Sequence, residues 1–211
     1  MLHSYRDWLV MEGGDELEEA ARRRTVDLFI RTARMCVSRL SVGDGALAPR
    51  HGAQRDPHTR LVEEVASQLY FASGAFRAGD SAPLSDEVTA RFYSEMRELL
   101  VELGTCGVIS AANKVLETFE YFLGLSIGGI DRRDALERFL RVGEATVRAG
   151  AADSYWLLDP IENVLRRCVA EQDQSLTDET ILASWSRVLD PLINLGWEQA
   201  YRLARDVDLS R

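Results

Sequence analysis

Apolar residues in this chain recur at intervals of three and four, in one segment after another, and almost nowhere do they alternate singly with polar ones. Three-and-four spacing is the period of an α-helix, and alternation is that of a strand, so the pattern commits the chain to an all-α fold. Between Asp15 and Leu40 the residues Val26, Phe29, Ile30, Ala33, Cys36, Val37 and Leu40 fall on one helical face. Acids (Asp15, Glu16, Glu18, Glu19) crowd the start, and arginines (Arg22, Arg23, Arg24, Arg31, Arg34, Arg39) fill the middle and end. That order suits the helix dipole. A short helix around Tyr5 to Met11, ended by Gly13-Gly14, is expected before it.

Later segments repeat the theme. His58 to Ala78 predicts a helix with Leu61, Val65, Leu69, Ala72 and Phe76 inward. Ser85-Asp86-Glu87 has the chemistry of an N-cap followed by an acidic first turn, opening a helix that runs to Gly104. After the break at Gly104 to Gly107, Val108 to Ile127 is apolar around most of its circumference. Such a helix belongs in the middle of a domain, packed on several sides. Asp131 or Ile130 stands near the cap of the next, Arg132 to Ala149, which buries Leu136, Phe139, Leu140, Gly143 and Val147. Pro160 suits a first helical position, and Ser175 to Glu179 reads as another cap. Asp190-Pro191 opens or kinks the last helix, and Gly196 bends it. The expected architecture is an irregular helical bundle or short α-solenoid of about seven to eight helices. It forms one domain over 1–211, with a candidate sub-boundary at 104–107 and an irregular loop over 43–57.

Two internal similarities bear on the solenoid reading. Leu157-Leu-Asp159-Pro-Ile-Glu-Asn163 resembles Val188-Leu-Asp190-Pro-Leu-Ile-Asn194, 31 residues on, and Leu84-Ser-Asp-Glu-Val resembles Leu176-Thr-Asp-Glu-Thr. A period of about 30 to 40 residues per helix pair marks solenoids. Asp-Pro starts and Ser-Asp-Glu caps also arise independently wherever helices begin.

Composition narrows the function. A net charge of −9 is wrong for a nucleic-acid binder, which must neutralise phosphates, and for an anionic membrane surface. No apolar run reaches the ~20 residues of a membrane span. The N-terminus lacks an apolar signal core. Cys36, Cys106 and Cys168 are widely spaced and form no Cys-x-x-Cys pair, which predicts reduced thiols in a cytoplasmic protein. Lys114 is the sole lysine among 25 basic residues.

Candidate sites are few. Asp44, His51, Asp56 and His58 have metal-ligand chemistry, but a Gly-rich loop does not pre-orient them, and no metal or other cofactor is expected. Asn113, Lys114, Glu117 and Glu120 form a polar stripe on the apolar 108–127 helix; no Glu has a His three residues on, as a di-iron bundle would require. The arginines of 22–39 read as a solvated face with pairs inside the helix. No nucleophile elbow, P-loop or dinucleotide fingerprint is present, so enzymatic activity is not the expectation. Trp8, Tyr155, Trp156, Trp197 and Tyr201 are the candidate interface, since aromatics add large contact area at low entropy. The functional expectation is a non-enzymatic protein–protein interaction, scaffold or assembly subunit that binds protein partners or itself. The alternative is a small-molecule or regulatory module with a pocket beside the 108–127 helix.

Overall fold

A computed structural model describes residues 19–40, 57–74, 85–125, 128–149 and 158–209. They form eight α-helices: α1 (Glu19–Leu40), α2 (Pro57–Gly74), α3 (Asp86–Thr105), α4 (Ile109–Leu123), α5 (Arg132–Arg148), α6 (Leu158–Ala170), α7 (Glu179–Asn194) and α8 (Glu198–Leu209). A 3-10 helix, Gln174–Thr177, links α6 to α7. No strand occurs among the described residues. The predicted extensions to Asp15 and to Ala78 lie outside them; the helix expected to reach Ile127 ends at Leu123, where Gly124 caps it.

The helix starts obey capping chemistry. Ser85 Oγ accepts from the backbone N–H of Val88, Asp131 accepts from Arg133 and Asp134, and Asp178 accepts from Thr180 and Ile181. Each cap satisfies N–H groups that a helix's first turn leaves unpaired. Helix ends are as definite. After α7 the N–H of Gly196 bonds to Ile193 O and that of Trp197 to Leu192 O, with Gly196 at φ +81°, a Schellman stop. The same pair of bonds ends α6, from Gln172 to Val169 O and from Asp173 to Cys168 O. There the left-handed position is held by Gln172, φ +49°.

Alternate helices pack in two layers. In one, α1 lies on α3, α3 on α5 and α5 on α7; in the other, α2 lies on α4, α4 on α6 and α6 on α8. Ion pairs show which way the helices run. Arg23–Glu87, Asp27–Arg91 and Arg34–Glu95 join α1 to α3 at 2.7, 2.8 and 2.6 Å, advancing together along both, so α1 and α3 are parallel. Arg133–Asp178 and Arg187–Glu144 place α5 parallel to α7 in the same way. Two arginines of α1, Arg23 and Arg34, therefore pair across to α3.

The caps Ser85, Asp131 and Asp178, which open α3, α5 and α7, stand 46 and 47 positions apart. That spacing lies at the upper end for stacked helix pairs. The 31-residue Asp-Pro similarity is not this period: Asp159-Pro160 sits in the first turn of α6, whereas Asp190-Pro191 sits inside α7 near its end. Pro191 therefore opens no helix, and Pro160 is the third residue of its helix, not the first.

At the centre, α4 packs against α2, α3, α5 and α6, as its wide apolar band requires. Val115, Leu116, Phe119 and Phe122 are completely buried. Phe122 meets Tyr93, Tyr121 and Phe92 with ring centroids 5.1, 5.5 and 6.2 Å apart, a spacing at which aromatic pairs attract beyond simple burial. One apolar cluster runs from Val26 to Leu203. Leu61 departs from expectation: it is 38% exposed, and Val62 takes the inward position. Val147 is only partly buried.

Candidate functional site

Among the described residues, the large apolar side chains left in solvent are Leu28 and Met35 on α1, Leu61 and Phe71 on α2, Leu195 after α7 and Tyr201 on α8. None lies on α3, α4, α5 or α6. The interior helices are closed, and the apolar surface is concentrated on the first and last helix pairs. Leu28 and Met35 are seven residues apart and so share one face of α1, 45% and 53% exposed.

Of the aromatics named from sequence, Tyr201 is 59% exposed, while Trp197 is partly buried against the core beside the Schellman stop. Trp8, Tyr155 and Trp156 lie outside the described residues, as do Asp44, His51 and Asp56. His58 opens α2, half-buried. No group of three or more His, Cys, Asp or Glu among the described residues has an arrangement that holds a metal.

The polar stripe of α4 is divided between two helix joints. Asn113 is buried; its Nδ2 donates to Glu117 at 2.8 Å, while its Oδ1 is buried without a hydrogen-bond partner. Lys114 Nζ pairs with Glu117 at 2.8 Å and lies 4.5 Å over the ring of Tyr70 on α2, a cation–π position. One turn on, Glu120 points the other way, accepting from Asn163 on α6 at 3.1 Å. Lys114 and Glu120 join α4 to α2 and α6 respectively, Asn113 and Glu117 bond along α4 itself, and the four do not converge on a common point.

A cleft of about 500 Å³ opens where the N-termini of α5 and α7 meet the 3-10 helix, within the size range of ligand sites. Two helix N-termini and two arginines would attract an anion, but carboxylates already occupy them. Arg132 pairs with Glu171 at 2.5 Å, and its Nε lies 2.7 Å from Asp173 without hydrogen-bond alignment. Arg133 bridges Glu137 and Asp178 at 3.0 and 2.7 Å. Burial opposes ionisation of Asp178, but the N–H groups of Ile181 and Thr180 and the charge of Arg133 outweigh it and hold the carboxyl below its ordinary range. Ser175 Oγ, on the cleft wall, is buried without a partner. The floor is Leu136 and Ile181.

A second ionic cluster couples α3 to α5. Asp134 receives Tyr93 Oη at 3.1 Å, Arg97 at 3.1 Å and Arg138 at 2.9 Å. Burial alone would raise the Asp134 carboxyl, but the hydrogen bonds from Arg138 and Tyr93, with both arginine charges, keep it below its ordinary range. Burial, then the charge and hydrogen bond of Asp134, push the Tyr93 hydroxyl well above its usual value. A carboxylate so fully engaged has no affinity left for a substrate proton at neutral pH.

The cysteines are free thiols, with Cys168 buried and Cys36 and Cys106 partly so. Burial pushes Cys168 up to about 11 and raises Cys106, the reverse of what a nucleophilic thiol needs. No described helix is long and apolar enough to cross a membrane. Compared with protein-family models, characterised proteins and solved structures, the chain matches none.

Proposed function

We propose that this chain is a non-enzymatic interaction subunit, a short stack of helices that engages protein partners through its outer helices. One observation carries the reading: among the described residues, exposed large apolar side chains belong to α1, α2 and the α7–α8 end, and α3 to α6 have none. Stacked helix pairs bury their apolar faces on one another, so apolar surface that stays exposed is available to another chain. Ionisable clusters support the reading from the other side. Asp134, Arg132 and Arg133 are engaged in ion pairs between structural elements, which is work of assembly and not of turnover.

Photo-crosslinking amino acids placed at Leu28, Met35, Phe71 and Tyr201, with controls at the exposed mid-stack positions Ser94 and Arg141, test this in the native host. Crosslinks to other chains concentrate at the outer positions; equal yields at the controls would overturn the proposal.

A small-molecule site is the second reading, favoured by the 500 Å³ cleft at the α5 and α7 N-termini. Thermal-shift screening against small polar compounds checks it. A stabilising compound whose effect disappears in Arg133→Met supports the cleft, and an effect unchanged by that substitution places binding elsewhere.

A further inference from the structure

The outer face of α1 has a finer pattern than exposure alone. Arg24, Leu28, Arg31, Met35 and Ser38 follow one another at steps of four and three, the seam of a two-stranded coiled coil. The five are solvent-exposed, with apolar residues on one seam position and arginine or serine on the other. The face opposite, with Val26, Phe29, Ile30, Ala33 and Val37, is buried in the core, so α1 has two working faces.

Charge says what fits. Glu19–Leu40 contains six arginines against Glu19 and Asp27, a net +4 within a chain of −9. Arg23 and Arg34 are committed to Glu87 and Glu95 of α3. Arg31 forms no ion pair with any described residue. A helix with a polar seam position of one sign selects a partner of the other sign and repels its like. A second copy of α1 placed on this seam would set Arg31 against Arg31.

We propose that the seam Arg24–Leu28–Arg31–Met35 docks an acidic amphipathic helix of another protein, one that sets aliphatic residues against Leu28 and Met35 and Asp or Glu against Arg31. This rests on the interaction reading above and names the partner's chemistry. Recognition is helix against helix, with apolar area giving affinity and the charged positions giving orientation and choice.

The probe is a three-heptad peptide with Leu and Glu alternating along its seam, labelled for fluorescence anisotropy. Its counterpart has Lys in place of each Glu. The Glu peptide binds the intact chain roughly five- to tenfold more tightly than the Lys peptide, the range expected of a few exposed charge pairs, and the gap narrows with added salt. Arg31→Glu inverts the preference, and Met35→Ser weakens both peptides while the far-ultraviolet circular dichroism stays the same. Equal affinities for the two peptides, or a preference untouched by Arg31→Glu, would overturn the proposal. So would a concentration-dependent dimer abolished by Leu28→Glu, which would make a second copy the occupant. Should the peptides fail while host crosslinks still gather at Leu28 and Met35, the acidic-helix partner is refuted and the interaction subunit stands. If both fail, both readings fall.

Discussion

Gln172 holds a left-handed backbone that glycine adopts freely and other residues adopt at a cost of about 1 kcal/mol. Its two Schellman hydrogen bonds come from backbone N–H groups, and its side chain is exposed, so nothing else is lost on substitution. Gln172→Gly is expected to stabilise the fold by about 0.5–1 kcal/mol, measured by urea denaturation; destabilisation would show that the glutamine has a role the bonds do not reveal. Tyr93 and Asp134 act at the same scale. The Tyr93 hydroxyl is raised in the fold, so its contribution is complete below about pH 10, where an unfolded tyrosine ionises, and is lost as pH climbs through the folded value. Asp134 is depressed, so its contribution is present above about pH 4 and is lost as pH falls through the folded value. Denaturant midpoints recorded against pH should decline at both extremes, and Tyr93→Phe should flatten the alkaline limb and, by removing one hydrogen bond to Asp134, make the acid limb shallower.

Two glycines separate tight from loose joints between elements. A Cβ on Gly104 would lie 2.6 Å from Val142 and 3.1 Å from Val115, where α3 crosses α5 and α4. Gly104→Ala is expected to cost about 1–3 kcal/mol through overpacking. On Gly143 a Cβ would meet Val188 at 3.5 Å, ordinary contact, and helix propensity then dominates. Gly143→Ala is expected to gain about 0.5–1 kcal/mol. Thermal melts of the pair should move in opposite directions. Elements were legible in the sequence wherever chemistry is local: the helix starts near Ile130–Asp131 and within Ser175 to Glu179, the bend at Gly196 and the centrality of α4 all follow from nearby residues. Leu61 was misplaced because Leu61-Val65-Leu69-Ala72 fits helical spacing as well as the true face, which includes Val62 and Ala66. Small residues give the period little weight. Equally hidden were the cleft, assembled from two segments some 40 positions apart (132–136 and 173–181), and the choice of Glu87, Glu95 and Arg91 as partners for α1. Many acids and arginines compete for such pairs, and only tertiary packing selects among them.

At the scale of the molecule, each helix rests on neighbours near in sequence, and α4 is shared by four of them. In such stacks stability is a sum over adjacent interfaces, and the ends open first. Hydrogen exchange should therefore be slowest in α4 at Leu116 to Phe122 and faster in α1 and α8; equal protection throughout would indicate one indivisible cooperative unit. Phe119→Ala, at a completely buried position of α4, is expected to cost about 3–5 kcal/mol and to lower protection in α2, α3, α5 and α6 together. The stack register was itself present in the sequence as caps 46 and 47 positions apart, obscured by the louder Asp-Pro match at 31. Leu84-Ser-Asp-Glu-Val and Leu176-Thr-Asp-Glu-Thr, 92 positions apart, both precede helices of the same layer. Even there the capping residue differs by one place, Ser85 in the first and Asp178 in the second.

Lys114 gives this molecule a single internal address. Every other basic side chain is a guanidinium or an imidazole, so an acylating reagent finds only one side-chain amine, one-third exposed, seated over Tyr70 at the joint between α2 and α4. The rate at which that amine is captured becomes a clock for how often the joint breathes. A fluorophore attached there reports from the middle of the stack without a cysteine being introduced or removed.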